Sequence, residues 1–215
     1  MDLFKFWSNA VYDDSNGYIH QDDVVVLDEL SKLVDGDIDR TFPPGPFFGP
    51  LKTAKIVLCY ANPGIDEPSI QGVNAEGSRV VLLNQLTGIE PYPYQLEGWR
   101  QWFSKCANSL FDGDISLASE SIAVFNLLPY ASKNMDKLEW VANCLPSVWM
   151  AQNHLRTVLI PKAKRKEILL IMCRSKHLWG LKSSLGCENI LINNTRSGFM
   201  AEVKNKVWQW NSMIV

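Results

Sequence analysis

Three amide-bearing stretches stand directly after apolar runs. Asn62, Pro63 and Gly64 follow "KIVLCY" (55–60), Asn126 sits late in "SIAVFNLLPY" (121–130), and Asn193 and Asn194 open "NNTRSG" after "NILIN" (189–193). A side-chain amide offers an acceptor oxygen and two donor protons in one plane, and it cannot take up a proton as a carboxylate does. It is therefore suited to holding a water molecule or to reading the donor–acceptor edge of a heterocycle. Each stretch also has a plainer reading. Asn, Pro and Gly are ordinary turn formers, a buried Asn at a strand end can be satisfied by backbone groups, and "NNTRSG" can be a polar loop.

The elements around these stretches decide where they lie. Four apolar, β-branched-rich runs, 55–60, 121–130, 167–173 and 189–193, alternate with helical patterns at about 79–86, 96–111, 137–159 and 176–185. Runs that are apolar on both faces and alternate with helices predict a parallel sheet covered on both sides. The expected fold is a three-layer α/β/α sandwich around a mostly parallel, four-stranded sheet. Ligands in such sheets bind beyond the carboxyl ends of the strands, which is where all three amide stretches fall. Residues 1–44 read as an N-terminal helical appendage, with a helix at 21–35 and a Pro/Gly-rich extended loop after it; residues 45–215 read as one α/β domain.

Composition narrows the classes. The 215 residues are 47% apolar, enough for a real core. No stretch approaches the roughly 20 apolar residues of a membrane helix, and the N-terminus has no secretory pattern. Five scattered cysteines form no C-x-x-C pair, which predicts reduced thiols and a cytoplasmic location. Cys spacing gives no iron–sulfur cluster and the three histidines lie far apart, so no metal and no cofactor are expected. "WRQWF" (99–103) has the spacing of a helix-packing face. The net charge of −2 hides an asymmetry. Residues 1–50 carry ten acids against three bases, whereas residues 151–215 carry eleven bases against three acids. That distribution allows a nucleic-acid partner along the C-terminal third, although a solvated basic face is the commoner cause.

The stretch "FFGPLKTAKIVLCYANPG" resembles the opening of the uracil-DNA glycosylase superfamily, nearest its mismatch-specific, thymine-DNA glycosylase-like branch. There the first core strand ends in a catalytic Gly-x-Asn-Pro-Gly turn; here Tyr60 replaces the leading Gly, while Asn62, Pro63 and Gly64 match. Asn126 stands where the family carries an Asn that reads the Watson–Crick edge of uracil. "INNTRSGF" occupies the place of the family's second motif, without its His and Pro.

The resemblance implies a monomeric, cofactor-free enzyme that hydrolyses the N-glycosidic bond of uracil or a related damaged or mismatched base in DNA. Asn62 would hold the attacking water. Tyr60, Ala61, Pro63, Gly64 and Asn126 would form the base site, with Asn193 or Asn194 donating to the base carbonyl in place of the missing His. Arg174, Lys176, Arg196 and Ser197 would contact DNA, and Phe199 or Met200 would fill the gap left by the flipped nucleotide. Two other classes remain open: a glycosylase-like fold that binds nucleic acid or a nucleotide without chemistry, and an unrelated α/β enzyme. The second has no phosphate-loop or nucleophile-elbow motif in its favour.

Overall fold

The computed structural model describes residues 2–31, 38–133, 135, 138–195 and 197–214. The chain runs α1 (Leu3–Ser8), α2 (Gln21–Ser31), β1 (Phe47–Phe48), β2 (Ile56–Tyr60), α3 (Glu67–Asn74), α4 (Ser78–Asn84), α5 (Glu97–Leu110), α6 (Ile115–Ser121), β3 (Ile122–Asn126), α7 (Glu139–Ala142), α8 (Pro146–His154), α9 (Ile160–Lys164), β4 (Leu169–Cys173), β5 (Ile190–Asn193) and α10 (Ala201–Ile214).

These strands form one mixed sheet in the order β1-β3-β2-β4-β5, with β3, β2, β4 and β5 parallel and β1 antiparallel to β3. The fold is thus α/β, but the sheet has five strands rather than the four expected. The extra strand comes from the Pro/Gly-rich stretch read as a loop. Two paired residues, Phe47 against Phe125 and Phe48 against Val124, are too few to show a period of two.

Alternation along the strands divides the interior into two cores. Val57, Cys59, Ala123, Phe125, Leu170 and Met172 face one core with side chains of α1, α8 and α9. Ile56, Leu58, Ile122, Val124, Leu169 and Ile171 face the other with α5, α6 and α10. The acidic N-terminal segment belongs to the first core through Leu3, Phe6, Trp7, Ile19 and Leu27. A buried polar contact pins it there: the Tyr130 hydroxyl donates to Asp23 at 2.5 Å, and Asp23 also accepts from the Ser147 backbone N–H at 3.0 Å.

Helix boundaries depart from the expected ones for local reasons. Pro146 splits the helix expected over 137–159 into α7 and α8, because the residue before a proline is held extended (Leu145 ψ 132°). The helix expected at 176–185 is a series of turns, with Gly180 and Leu185 at φ 70° and 55°. Residues 32–35 of the helix expected at 21–35 lie outside the described residues. Among the described residues no helix is long and apolar enough to cross a membrane.

Candidate active site at the carboxyl edge of the sheet

The chain leaves β2 for β3 on one side and then passes back across β2 to β4 on the other, so the strand order reverses at β2. Such a switch point opens a crevice at the carboxyl edge. Tyr60, the last residue of β2, lies in register with Asn126, the last of β3. Beyond them lies a cavity of about 230 Å³, and Tyr60, Asn62, Pro63, Gly64 and Asn126 all line it.

The turn after β2 is held rigidly. Leu127 N–H donates to the Tyr60 carbonyl at 3.1 Å, Leu128 to Ala61 at 2.8 Å and Ser132 to Pro63 at 3.2 Å, so the loop after β3 clamps the turn. The Trp179 indole N–H adds a bond to the Tyr60 carbonyl at 3.1 Å. Within this frame the Asn62 amide nitrogen donates to the Pro63 carbonyl at 2.9 Å and to the Ser132 hydroxyl at 2.8 Å. Both donor protons are used, and Oδ1 has no hydrogen-bond partner among the described residues. The amide is therefore fixed with its acceptor available, the arrangement needed to hold a water.

Asn126 is only 2% exposed. Its Nδ2 donates to the Gly45 carbonyl at 2.8 Å, and its backbone N–H to the Pro46 carbonyl at 2.8 Å, so the segment leading into β1 fixes its orientation. A flip of the amide would set an oxygen against the Gly45 carbonyl. One donor proton and Oδ1 remain uncommitted among the described residues, and together they form a one-donor, one-acceptor edge.

The walls are aromatic: Phe42 and Phe48, then Tyr60 and Tyr92, then Trp99 and Trp102 from α5. Trp102 meets Tyr60 edge-on at 5.6 Å between ring centroids. Gly98 lets α5 approach the start of α3, because a Cβ there would stand 2.5 Å from the Ser69 Cα. Asp66 caps α3 through a reciprocal pair with Ser69, 2.9 Å and 3.0 Å, and among the described residues it is the one carboxylate lining the cavity. Burial pushes the Tyr60 and Tyr92 phenols well up, with Cys173 and Cys106 adding to the effect at Tyr60 and Cys106 at Tyr92. Burial likewise holds the Cys173 thiol up at about 12. At neutral pH these groups are uncharged, so the interior is a poor host for a phosphate and a good one for a neutral ring.

Several sequence-stretch residues stand elsewhere. Asn193 closes its own loop: Nδ2 donates to the Gly198 carbonyl at 3.0 Å, and Oδ1 accepts from Met200 N–H at 2.9 Å and from the Thr195 hydroxyl at 3.2 Å. Neither it nor the exposed Asn194 lines the cavity. Phe199 is 8% exposed and packs with Val203 and Val207 in the second core, so its ring is not presented as a wedge. Arg174 is exposed, in the left-handed region at φ 48°, with half-buried Lys176 near it, both following β4 at the carboxyl edge. Ser197 is exposed, and Arg196 lies outside the described residues.

The basic C-terminal third divides between the two edges of the sheet. Lys162 and Lys166, which precede β4, line a cleft with Lys52 and Lys55, which precede β2. That cleft is at the amino edge, away from the amides. Summing charge along the sequence could not separate the two edges.

The sequence pattern around Tyr92, Trp99 and Trp102 points to no site. "WRQWF" reads as a packing face, and Trp99 and Phe103 do pack in the second core, while Trp99 and Trp102 also wall the cavity. Comparison of the chain with protein-family models, characterised proteins and solved structures gives no match.

Proposed function

We propose that the protein is a DNA glycosylase of the uracil-DNA glycosylase type, acting on uracil or a related damaged base. The observation that carries this reading is that Asn62 Oδ1 and the fixed amide edge of Asn126 belong to one aromatic-walled cavity at the carboxyl edge. In this reading the helices on the two cores are the outer layers of a three-layer α/β/α sandwich, and the protein works as a cytoplasmic monomer.

A uracil flipped from the stack slides between the rings. Its N3–H donates to Asn126 Oδ1 and its O4 accepts the remaining Nδ2 proton. A cytosine, with a donor and an acceptor exchanged, is rejected because the Gly45 carbonyl prevents the amide from turning over. Asn62 Oδ1 holds a water against C1′ of the sugar. The C1′–N bond breaks with its electron pair going to the base, and the water oxygen bonds to C1′. The water's proton passes to solvent, and the base anion takes a proton from solvent. Without a strong general base such a site favours bases that leave easily. Arg174 and Lys176 hold phosphates beside the mouth.

The test is release of base from an end-labelled oligonucleotide carrying one uracil, opposite G, opposite A and single-stranded, with alkali to reveal abasic sites. A second reading is a glycosylase-like module that binds without chemistry. It is favoured by Tyr60 occupying the wall where the family has Gly, and by Asp66 being engaged as a helix cap. Binding to uracil-containing DNA that yields no product and ignores Asn62→Ala would select it.

A further inference from the structure

Tyr92 brings to the cavity wall a hydroxyl that no other group uses. It is 4% exposed and lines the cavity, and its hydroxyl has no hydrogen-bond partner among the described residues. The Tyr92 ring is fixed from several sides. It stacks on Phe103 at 4.0 Å with 8° between planes and meets Phe48 edge-on at 6.1 Å. Its backbone lies between Pro91 and Pro93, which restrict it to extended conformations. Its N–H donates to the Ser119 carbonyl at 3.0 Å, and the Pro91 carbonyl is held by Gln85 at 2.9 Å.

The ring is buried but the hydroxyl oxygen is open to the cavity, so a ligand acceptor there takes up a donor that is already in place. Burial keeps the phenol protonated, so it acts as a donor across the neutral range. Asn126 engages one carbonyl and the adjacent N–H of a uracil ring, which leaves the O2 carbonyl needing a donor. Asn193 and Asn194, the residues that sequence reasoning put there, do not line the cavity.

We propose that the Tyr92 hydroxyl donates a hydrogen bond to the O2 carbonyl of the base held by Asn126. This rests on the base-binding reading above and adds to it a donor on the carbonyl that gains charge as the base leaves. An uncharged donor preorganised by aromatic stacking and two prolines needs no rearrangement when that charge develops.

The test is equilibrium dialysis of two free bases, uracil and 4(3H)-pyrimidinone, against the intact protein and Tyr92→Phe. The pyrimidinone keeps the edge read by Asn126 and lacks the 2-oxo group. Phe keeps the ring and its stacking. The expected result is about tenfold weaker uracil binding by Tyr92→Phe, with pyrimidinone affinity unchanged. Equal uracil binding by both proteins overturns the assignment, as does an equal loss for both bases, which marks a structural role. Failure of the wild-type protein to bind uracil overturns it as well. Uracil binding that depends on Tyr92, in a protein that releases no base from DNA, sustains the assignment and removes the chemistry proposed above.

Discussion

The Asn62 amide nitrogen lies 2.8 Å from the Ser132 hydroxyl, although seventy positions separate the two in sequence. Ser132 is thereby a positioning residue: its oxygen and the Pro63 carbonyl together settle which end of the Asn62 amide faces the cavity. Ser132→Ala removes one of the two acceptors, and the amide gains freedom to rotate. The expected outcome is a fall of about tenfold in the rate of base release at saturating DNA, with KM little changed. Ser132→Thr, which keeps the hydroxyl, should recover most of the rate. Single-turnover kinetics on the three proteins measure this.

Asn126→Ala should be felt in stability as well as in binding. The Gly45 carbonyl loses the donor that satisfies it in a buried site, which costs about 1–3 kcal/mol. Urea unfolding should show a lower midpoint with an unchanged slope, and dialysis should show loss of uracil binding.

Phe199→Ala separates a core role from a DNA wedge. The ring is buried with Val203 and Val207, so its removal should destabilise the protein by about 3–5 kcal/mol. DNA affinity of the folded fraction should be unaltered. A stable variant with sharply weaker DNA binding would restore the wedge.

How much of this was legible in the sequence follows from what fixes each part. The parallel strands are buried on both faces and read as continuous apolar runs, and the carboxyl-edge rule then points to Asn62 and Asn126, and equally to Asn193 and Asn194. α3 is absent from the expected elements, although Asp66 three residues before Ser69 with Pro68 between them marks its start. β1 is invisible because two residues show no period, and Asn193 was misplaced because the backbone it holds lies seven positions on, at Met200. Tyr92, Trp99 and Trp102 reach the cavity only through long-range packing, including the contact of Gly98 with Ser69. No local pattern records such packing.

His154 predicts an acid-sensitive step in stability. It is packed between the edges of Phe4 and Phe125, and burial brings its pKa down to about 4 from 6.5. The unfolded chain binds a proton there below 6.5 while the folded protein does not until about 4. Its contribution is therefore fully present above 6.5 and is lost as pH falls toward 4, an effect on the order of 3 kcal/mol. Asp23, whose carboxyl burial pushes up, works in the opposite direction. Urea midpoints taken between pH 7 and 4 should fall in the wild type, and more shallowly in His154→Gln.

The most direct measurement is release of uracil from single-uracil oligonucleotides by the wild-type protein and Asn62→Ala, run side by side. The account predicts abasic sites with the wild type and a loss of about a hundredfold or more in the variant, whose fold and free-uracil binding persist. No release by a folded wild-type protein from any of the uracil substrates, or equal release by both proteins, would contradict it.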